Sequence, residues 1–371
     1  MLFLLPQYRP PDLSKPPLSE APWTIFSQVT QAGVLPADYH ATSIYPEYFH
    51  LKKSGWHLLE NSRMDCGVVL DKNGSLRVRE FRHIAEGDLV ACGRRENGED
   101  GILVYPDGFD IPAQTREIFA FRTQTSRETS FSADYDQLYE LLEHERQNGF
   151  ILWVLGPAVA FDRDARSAMI RLIDNGFVHG LLAGNGLAVH DMEGGLFGTA
   201  LGREIYSKQA TPLGHYNHLD TINRIQAAGS IENAVRQEML QEGIMAAVIR
   251  QSVPYVLAGS IRDDGPLPDV IRDVCLAQDK MRALAQQATT VMALATQLHA
   301  IAVGNMVPCY RVTKDGRVRP VYFYTVDMSE FVVGKLANRG SLTARTILTN
   351  AQDFLVTLAH GLLPRQTLST C

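Results

Sequence analysis

The stretch Leu181–Asp191 reads LLAGNGLAVHD, an apolar run closed by Gly184-Asn185-Gly186 and followed shortly by His190 and Asp191. Two chemistries are open to it. Glycines after a strand let the backbone approach a phosphate, and a helix starting there aims N–H groups at an anion. His190 could shuttle a proton near neutral pH, while Asp191 could orient the imidazole or accept a hydrogen bond from an ammonium. Alternatively, Asp191 only satisfies backbone amides near a helix start. Both readings of Asp191 stand at this level. The triplet lacks the third glycine of G-x-G-x-x-G, and the chain contains no Walker loop.

A second group is AGSIRDDGPLPDVIRD, Ala258 to Asp273, which puts Arg262, Asp263 and Asp264 directly after an apolar run. Carboxylates there could hold a substrate ammonium, or act as base when it loses its proton. The bland alternative is a polar loop with an ion pair and a helix cap at Asp269. At YTVD, Asp327 stands where an acidic residue commonly takes ribose hydroxyls. Asn338-Arg339-Gly340-Ser341 offers donors and a glycine for a phosphate, or simply a helix stop followed by a cap. GHYNH, with His215 and His218, has the spacing of metal ligands but no acidic third ligand nearby in the sequence, and no metal is expected.

These residues need a frame. FILWVLGP, VHGLLAGN, VPYVLAGS, TTVMALAT and VYFYTVD are apolar runs too continuous for a half-exposed sheet, and small-residue turns and helical patterns follow them. Strands buried on both faces and alternating with helices indicate a doubly wound parallel sheet, an α/β fold of Rossmann-like type. Three of the five strand ends carry a glycine, Gly156 (before Pro157), Gly184 and Gly259 (before Ser260 and Ile261), although each could be a plain turn glycine. Upstream, DCGVVLD and LRVREFRHI alternate apolar and polar residues around KNG, which predicts a small β-rich domain over 42–134. Residues 1–41 are proline-rich and read as an arm or shortened domain, and a helix is expected over Tyr135–Gly149, opening the domain 135–371.

Composition excludes several functions. A net charge of -6 and a pI near 6.0 give no basic field for nucleic acid. The sequence has no apolar run of the roughly 18 residues a membrane span requires, and MLFLLP lacks the basic start and cleavage site of a secretory signal. Cys66, Cys92, Cys275, Cys309 and Cys371 are widely spaced with no C-x-x-C pair, as in reduced thiols of a cytoplasmic protein.

Read in order, TSIYPEYF, RMDCGVVLD, GDLVACG, LLAGNGLAVHDMEGGLFGTALG, INRIQAAGSI, VPYVLAGSIRDDGPLPDVIRDV, AQDKMR, QLHAIAVGNMVP and VDMSEFVVGKLANRGS closely resemble the archaeal-type ornithine cyclodeaminase family, also labelled LOR/SDH. The resemblance covers roughly residues 42–358. It implies a deoxyhypusine-synthase-like NAD domain behind a small β-rich domain, and conversion of L-ornithine to L-proline with release of ammonia. It also implies NAD as cofactor, an amino-acid substrate, and a homodimer or homotetramer. Hydride would leave the α-carbon for the nicotinamide, the δ-amine would close the ring, ammonia would depart, and hydride would return, so that NAD is recycled. Asp191, Asp263 and Asp264 would then bind the ammonium or serve as base, with Asn185 and His190 orienting. The dinucleotide would lie against Gly156, Pro157, Gly184, Asn185, Gly186, Gly259, Ser260, Ile261, Asn305, Asp327, Asn338, Arg339, Gly340 and Ser341.

The chain departs from the family pattern in several places. Family members usually carry a longer N-terminal domain before TSIYPEYF, where about 40 proline-rich residues stand here, so the substrate side is in doubt. MEGGLFGTALG has glycines where relatives tend to have alanines, Lys280 replaces a small residue, and DGRVRP looks like an insertion. Two competing functions follow: an NAD(P)-dependent amino-acid or opine dehydrogenase, and a dinucleotide-binding protein without catalysis.

Overall fold

A computed structural model describes residues 3–109, 132–263, 265–329 and 343–363. Seven strands form an all-parallel sheet: β1 (Ile151–Leu155), β2 (Gly180–Gly184), β3 (Tyr255–Ala258), β4 (Val270–Ile271), β5 (Thr290–Leu294), β6 (Tyr322–Asp327) and β7 (Thr343–Leu348). Their order is β4-β3-β2-β1-β5-β6-β7. The helices are α1 (Ser132–Asn148), α2 (Arg163–Asp174), α3 (Asn185–Phe197), α4 (Gly214–Ala228), α5 (Ile231–Arg236), α6 (Ile244–Arg250), α7 (Val274–Ala285), α8 (Gln297–Met306) and α9 (Ala351–Leu362).

The continuous apolar runs follow from burial on both faces. Ile151, Trp153 and Leu155 point into a core with α1, α2, α3, α6 and α9, whereas Leu152 and Val154 point into a second core with α7 and α8. Strand side chains alternate, so a strand covered on both sides must be apolar at every position. β4 and β7 lie outside the five expected strands: β4 has two residues in a polar loop, and β7 is a half-buried edge strand whose TARTIL shows no unbroken apolar run.

Two antiparallel sheets precede this unit. Ile25–Gln28, Leu89–Cys92, Gly67–Leu70 and Leu76–Arg79 form one, and Gly55–Leu58, Glu47–Leu51 and Ile102–Val104 the other. Phe49, Leu59, Val68, Ala91 and Ile102 pack between them, fully buried. The KNG turn lies where the alternation predicts it, with Gly74 at φ 84°. Residues 3–41 are joined to the β-rich region by backbone pairing. Ile25–Gln28 pairs along Leu89–Cys92, and Tyr8 bridges to Phe109, so their backbone groups are completed by the β-rich region.

Candidate active-site crevice

From β1 the chain winds outward through β2, β3 and β4, then returns to the other side of β1 as β5. The helices after β1 and β5 cover opposite faces, so the carboxyl ends of these two strands part and leave a crevice at the switch point. Its floor is tight. A Cβ on Gly156 would lie 1.9 Å from the Ala295 carbonyl oxygen, so only glycine lets β1 and β5 meet there. Ala295 itself sits at φ 51°, a left-handed conformation that costs a side-chain-bearing residue roughly 1–2 kcal/mol.

Gly184 ends β2 and precedes α3 without capping it through a side chain. The first N–H groups of α3 therefore lack intrahelical acceptors and face outward from the strand end. A Cβ on Gly186 would meet only the Pro157 side chain, at 3.9 Å. Asn185 is buried, and its Oδ1 accepts from the Leu267 N–H at 3.1 Å, tying the start of α3 to the loop after β3. In that loop the Ser260 N–H donates to Asp263 Oδ2 at 2.8 Å, leaving Asp263 half-buried, while Ile261 is fully exposed. Asp327 ends β6 and accepts from the Ser329 N–H at 2.9 Å. Asp264, Asn338, Arg339, Gly340 and Ser341 lie outside the described residues.

Two expectations change. His190 and Asp191 do not act as a couple, because adjacent helical residues point about 100° apart. Asp191 is fully buried; Arg166 Nε donates to it at 2.7 Å, and the N–H groups of Ile244 and Met245 each donate at 2.8 Å. Both oxygens are committed to a buried ion pair and to the start of α6. Of the two readings of Asp191, its contacts answer the structural one, though the helix it fastens is α6 and not its own. His190 points the other way, to Glu193 and His218. Asn305 lies in the last turn of α8, eight residues and so about 12 Å along the helix from Gln297.

One residue in the crevice escaped sequence reasoning. His299 sits in the first turn of α8, after β5, and its Cε1 lies 3.2 Å from where a Cβ on Gly184 would be. The ring therefore reaches over the end of β1 to the end of β2. Burial lowers its imidazole below the ordinary value, and the Asp263 carboxylate opposes that shift. In QLHAIAV a single histidine among apolar residues reads as core packing, and the closeness to Gly184 is visible only in three dimensions.

Comparison with known proteins identifies this frame. Residues 137–358 match the family model described as arginine dihydrolase ArgZ-like, C-terminal, Rossmann fold. The chain is 38% identical over 337 residues to the ornithine cyclodeaminase of Methanocaldococcus jannaschii, covering 89% of this chain and 75% of that one. The chain belongs to the ornithine cyclodeaminase family. A solved LOR/SDH protein from Methanococcus maripaludis superposes with a TM-score of 0.80 at 32% identity, covering 92% of this chain and 97% of that one. A ternary complex of AgrE with ornithine and NAD+ superposes with a TM-score of 0.57 at 30% identity, covering 93% of this chain and 46% of that one. Among the described residues no helix is long and apolar enough to cross a membrane.

Proposed function

We infer that this chain is an NAD-dependent ornithine cyclodeaminase, converting L-ornithine to L-proline and ammonia. The observation that carries the reading is the crevice at the β1–β5 switch point, in a fold shared with a relative solved with both ornithine and NAD+. The residues present fit a dinucleotide. The uncapped start of α3 supplies N–H groups for a pyrophosphate, and the open space at Gly186 lets it approach the backbone. Asp327, the last residue of β6, supports the reading as a carboxylate that would accept from a ribose hydroxyl. When bound, NAD supplies a hydride acceptor for the α-carbon and returns the hydride after ring closure, so it is not consumed.

The chain's own residues have three tasks: to hold the ammonium, move its proton and orient the ring closure. Asp263 supports the first, since its Oδ2 is held by the Ser260 N–H while the carboxylate stays half-exposed toward His299. His299 supports the second. A half-buried imidazole with a lowered pKa is neutral near pH 7, so its ring nitrogen can take the proton from the α-ammonium and return it to the departing ammonia. Asn185 supports the third by locking the β3 loop against α3.

Purified protein given ornithine and catalytic NAD should yield proline and ammonia with no net NADH. NADH accumulating in proportion to product would overturn this in favour of an ordinary dehydrogenase. We also place the chain in the cytoplasm as a homo-oligomer. The first is supported by the free thiols of Cys66, Cys92, Cys275 and Cys309, and the second by Leu201, Tyr206, Leu213, Tyr216 and Leu219, large apolar residues exposed along one segment. Sedimentation tests the assembly.

A further inference from the structure

On the flank of α3 away from Asp191, three side chains converge outside the crevice. His190 Nδ1 lies 3.2 Å from Glu193 Oε2, and His218 Nδ1, from α4, lies 3.8 Å from the same oxygen. One ligand atom from each residue falls within 4.8 Å of the other two, and the imidazole centroids are 4.9 Å apart. Tetrahedral zinc with bonds of about 2.0–2.1 Å separates its ligand atoms by about 3.3 Å. The His190–Glu193 separation of 3.2 Å already matches that spacing, and the His218–Glu193 separation of 3.8 Å is close to it.

Three independent features favour a cation there. His218 Nδ1 is buried and has no hydrogen-bond partner, although the rest of the ring is about a third exposed, with 35% of the side chain accessible. Glu193 is fully buried, and no arginine or lysine pairs with it among the described residues. A buried carboxylate that faces two imidazoles and no stronger cation among the described residues calls for positive charge. The carboxylate is also held in position. Thr199 Oγ1 donates to Oε1 at 2.8 Å, the Gly202 N–H to Oε1 at 3.0 Å and the Leu201 N–H to Oε2 at 3.1 Å, while Asn217 Nδ2 donates to Thr199 Oγ1 at 3.0 Å. Such outer partners fix the direction of a metal ligand.

We propose that His190, Glu193 and His218 bind one first-row divalent cation, zinc by preference, which bolts α4 and the Thr199–Glu204 hairpin to α3. Two imidazoles and one carboxylate suit zinc, with water as the fourth ligand. The sequence shows only His215 and His218 as a spaced pair. The structure replaces His215, whose ring packs on Tyr216, with His190 and supplies the acidic ligand from 25 residues upstream of His218.

The test uses tag-free full-length chain, stripped with a chelator and titrated with zinc or cobalt chloride. One equivalent of zinc should bind and raise the unfolding temperature, and cobalt should give the strong visible bands of a four-coordinate site. His218→Ala and His190→Ala should each weaken binding by at least about 100-fold, the upper range for losing even a supporting partner. The absence of an equivalent of bound zinc, weak six-coordinate cobalt bands, or unchanged binding in both variants would each overturn the proposal. The cobalt spectrum is read on the unaltered chain, so a variant that fails to fold leaves the test intact.

Discussion

The two ends of the parallel sheet are built from different chemistry. At the amino end, Glu145 is fully buried; Arg319 Nη2 donates to it at 2.7 Å, and the Thr289 hydroxyl also donates to it. Beside it the Ile151 N–H donates to His179 Nδ1 at 2.9 Å, and Trp153 Nε1 donates to the Phe177 carbonyl at 2.9 Å. At the carboxyl end the turns are glycine, the start of α3 has no side-chain cap, and Asp263 and His299 are half-buried. At the amino end the buried charges are paired with each other, whereas at the carboxyl end the first N–H groups of α3, Asp263 and His299 keep a side open to a ligand. Asp191 and its partner Arg166 follow the rule of the amino end although Asp191 lies beyond the carboxyl end of β2, because its face of α3 is covered by α2, which carries Arg166, and by α6.

The largest effects should come from the paired group. Arg319→Ala leaves the Glu145 carboxylate buried without its cation, and Asp191→Ala does the same to Arg166 while uncapping α6; each should cost about 3–5 kcal/mol in urea unfolding. An Asp191→Ala protein of unchanged stability but lost turnover would break the comparison, since Asp191 would then belong with the ligand groups. His299→Ala should behave in the opposite way. Turnover should fall by about 10²–10⁴, the usual worth of a positioned proton-transfer group, with the unfolding midpoint little changed.

Two histidines sharpen the contrast through pH. Burial lowers the pKa of His179 and of His299 alike. For each the folded value lies below the unfolded one near 6.5, so at acid pH the unfolded chain binds more protons. The stability they contribute is present above about pH 6.5 and is lost as the pH falls through the folded value. In His179 protonation removes the acceptor of the Ile151 N–H, so the acid limb should appear in the unfolding midpoint and vanish in His179→Gln. For His299, facing Asp263, the limb should appear in kcat/KM below the ordinary imidazole range and vanish from the residual activity of His299→Gln.

What the sequence showed and what it hid follow the same division. The five inner strands were legible because burial on both faces forces every position apolar. The edge strand β7, only half-buried, carries no such mark. Glycines at strand ends were legible as residue types, yet nothing in the string separates Gly156, required by Ala295, from Gly186, which touches almost nothing. Asp191 stayed ambiguous because its decisive partners, Arg166 and the start of α6, stand 25 and 53 residues away. His299 and Glu193 were hidden for the same reason: each gains meaning from a neighbour on another element.

The smallest expected effect discriminates best. Gly186 lies in the first turn of α3 with ordinary helical backbone, and a methyl group there would meet only Pro157 at 3.9 Å. For the free protein Gly186→Ala should therefore be favourable, by about 0.4–1 kcal/mol, because it restricts the unfolded chain and suits a helix. For a protein that seats a pyrophosphate against this turn, the same methyl occupies the approach path, so NAD affinity should fall while stability rises. Gly156→Ala, forced against the Ala295 carbonyl, should lose stability as well as affinity. Calorimetric NAD titration beside thermal unfolding separates the two. If Gly186→Ala binds NAD as tightly as the unaltered chain, the glycine is a feature of the fold alone, and the ligand-facing end of the sheet must begin elsewhere on the crevice wall.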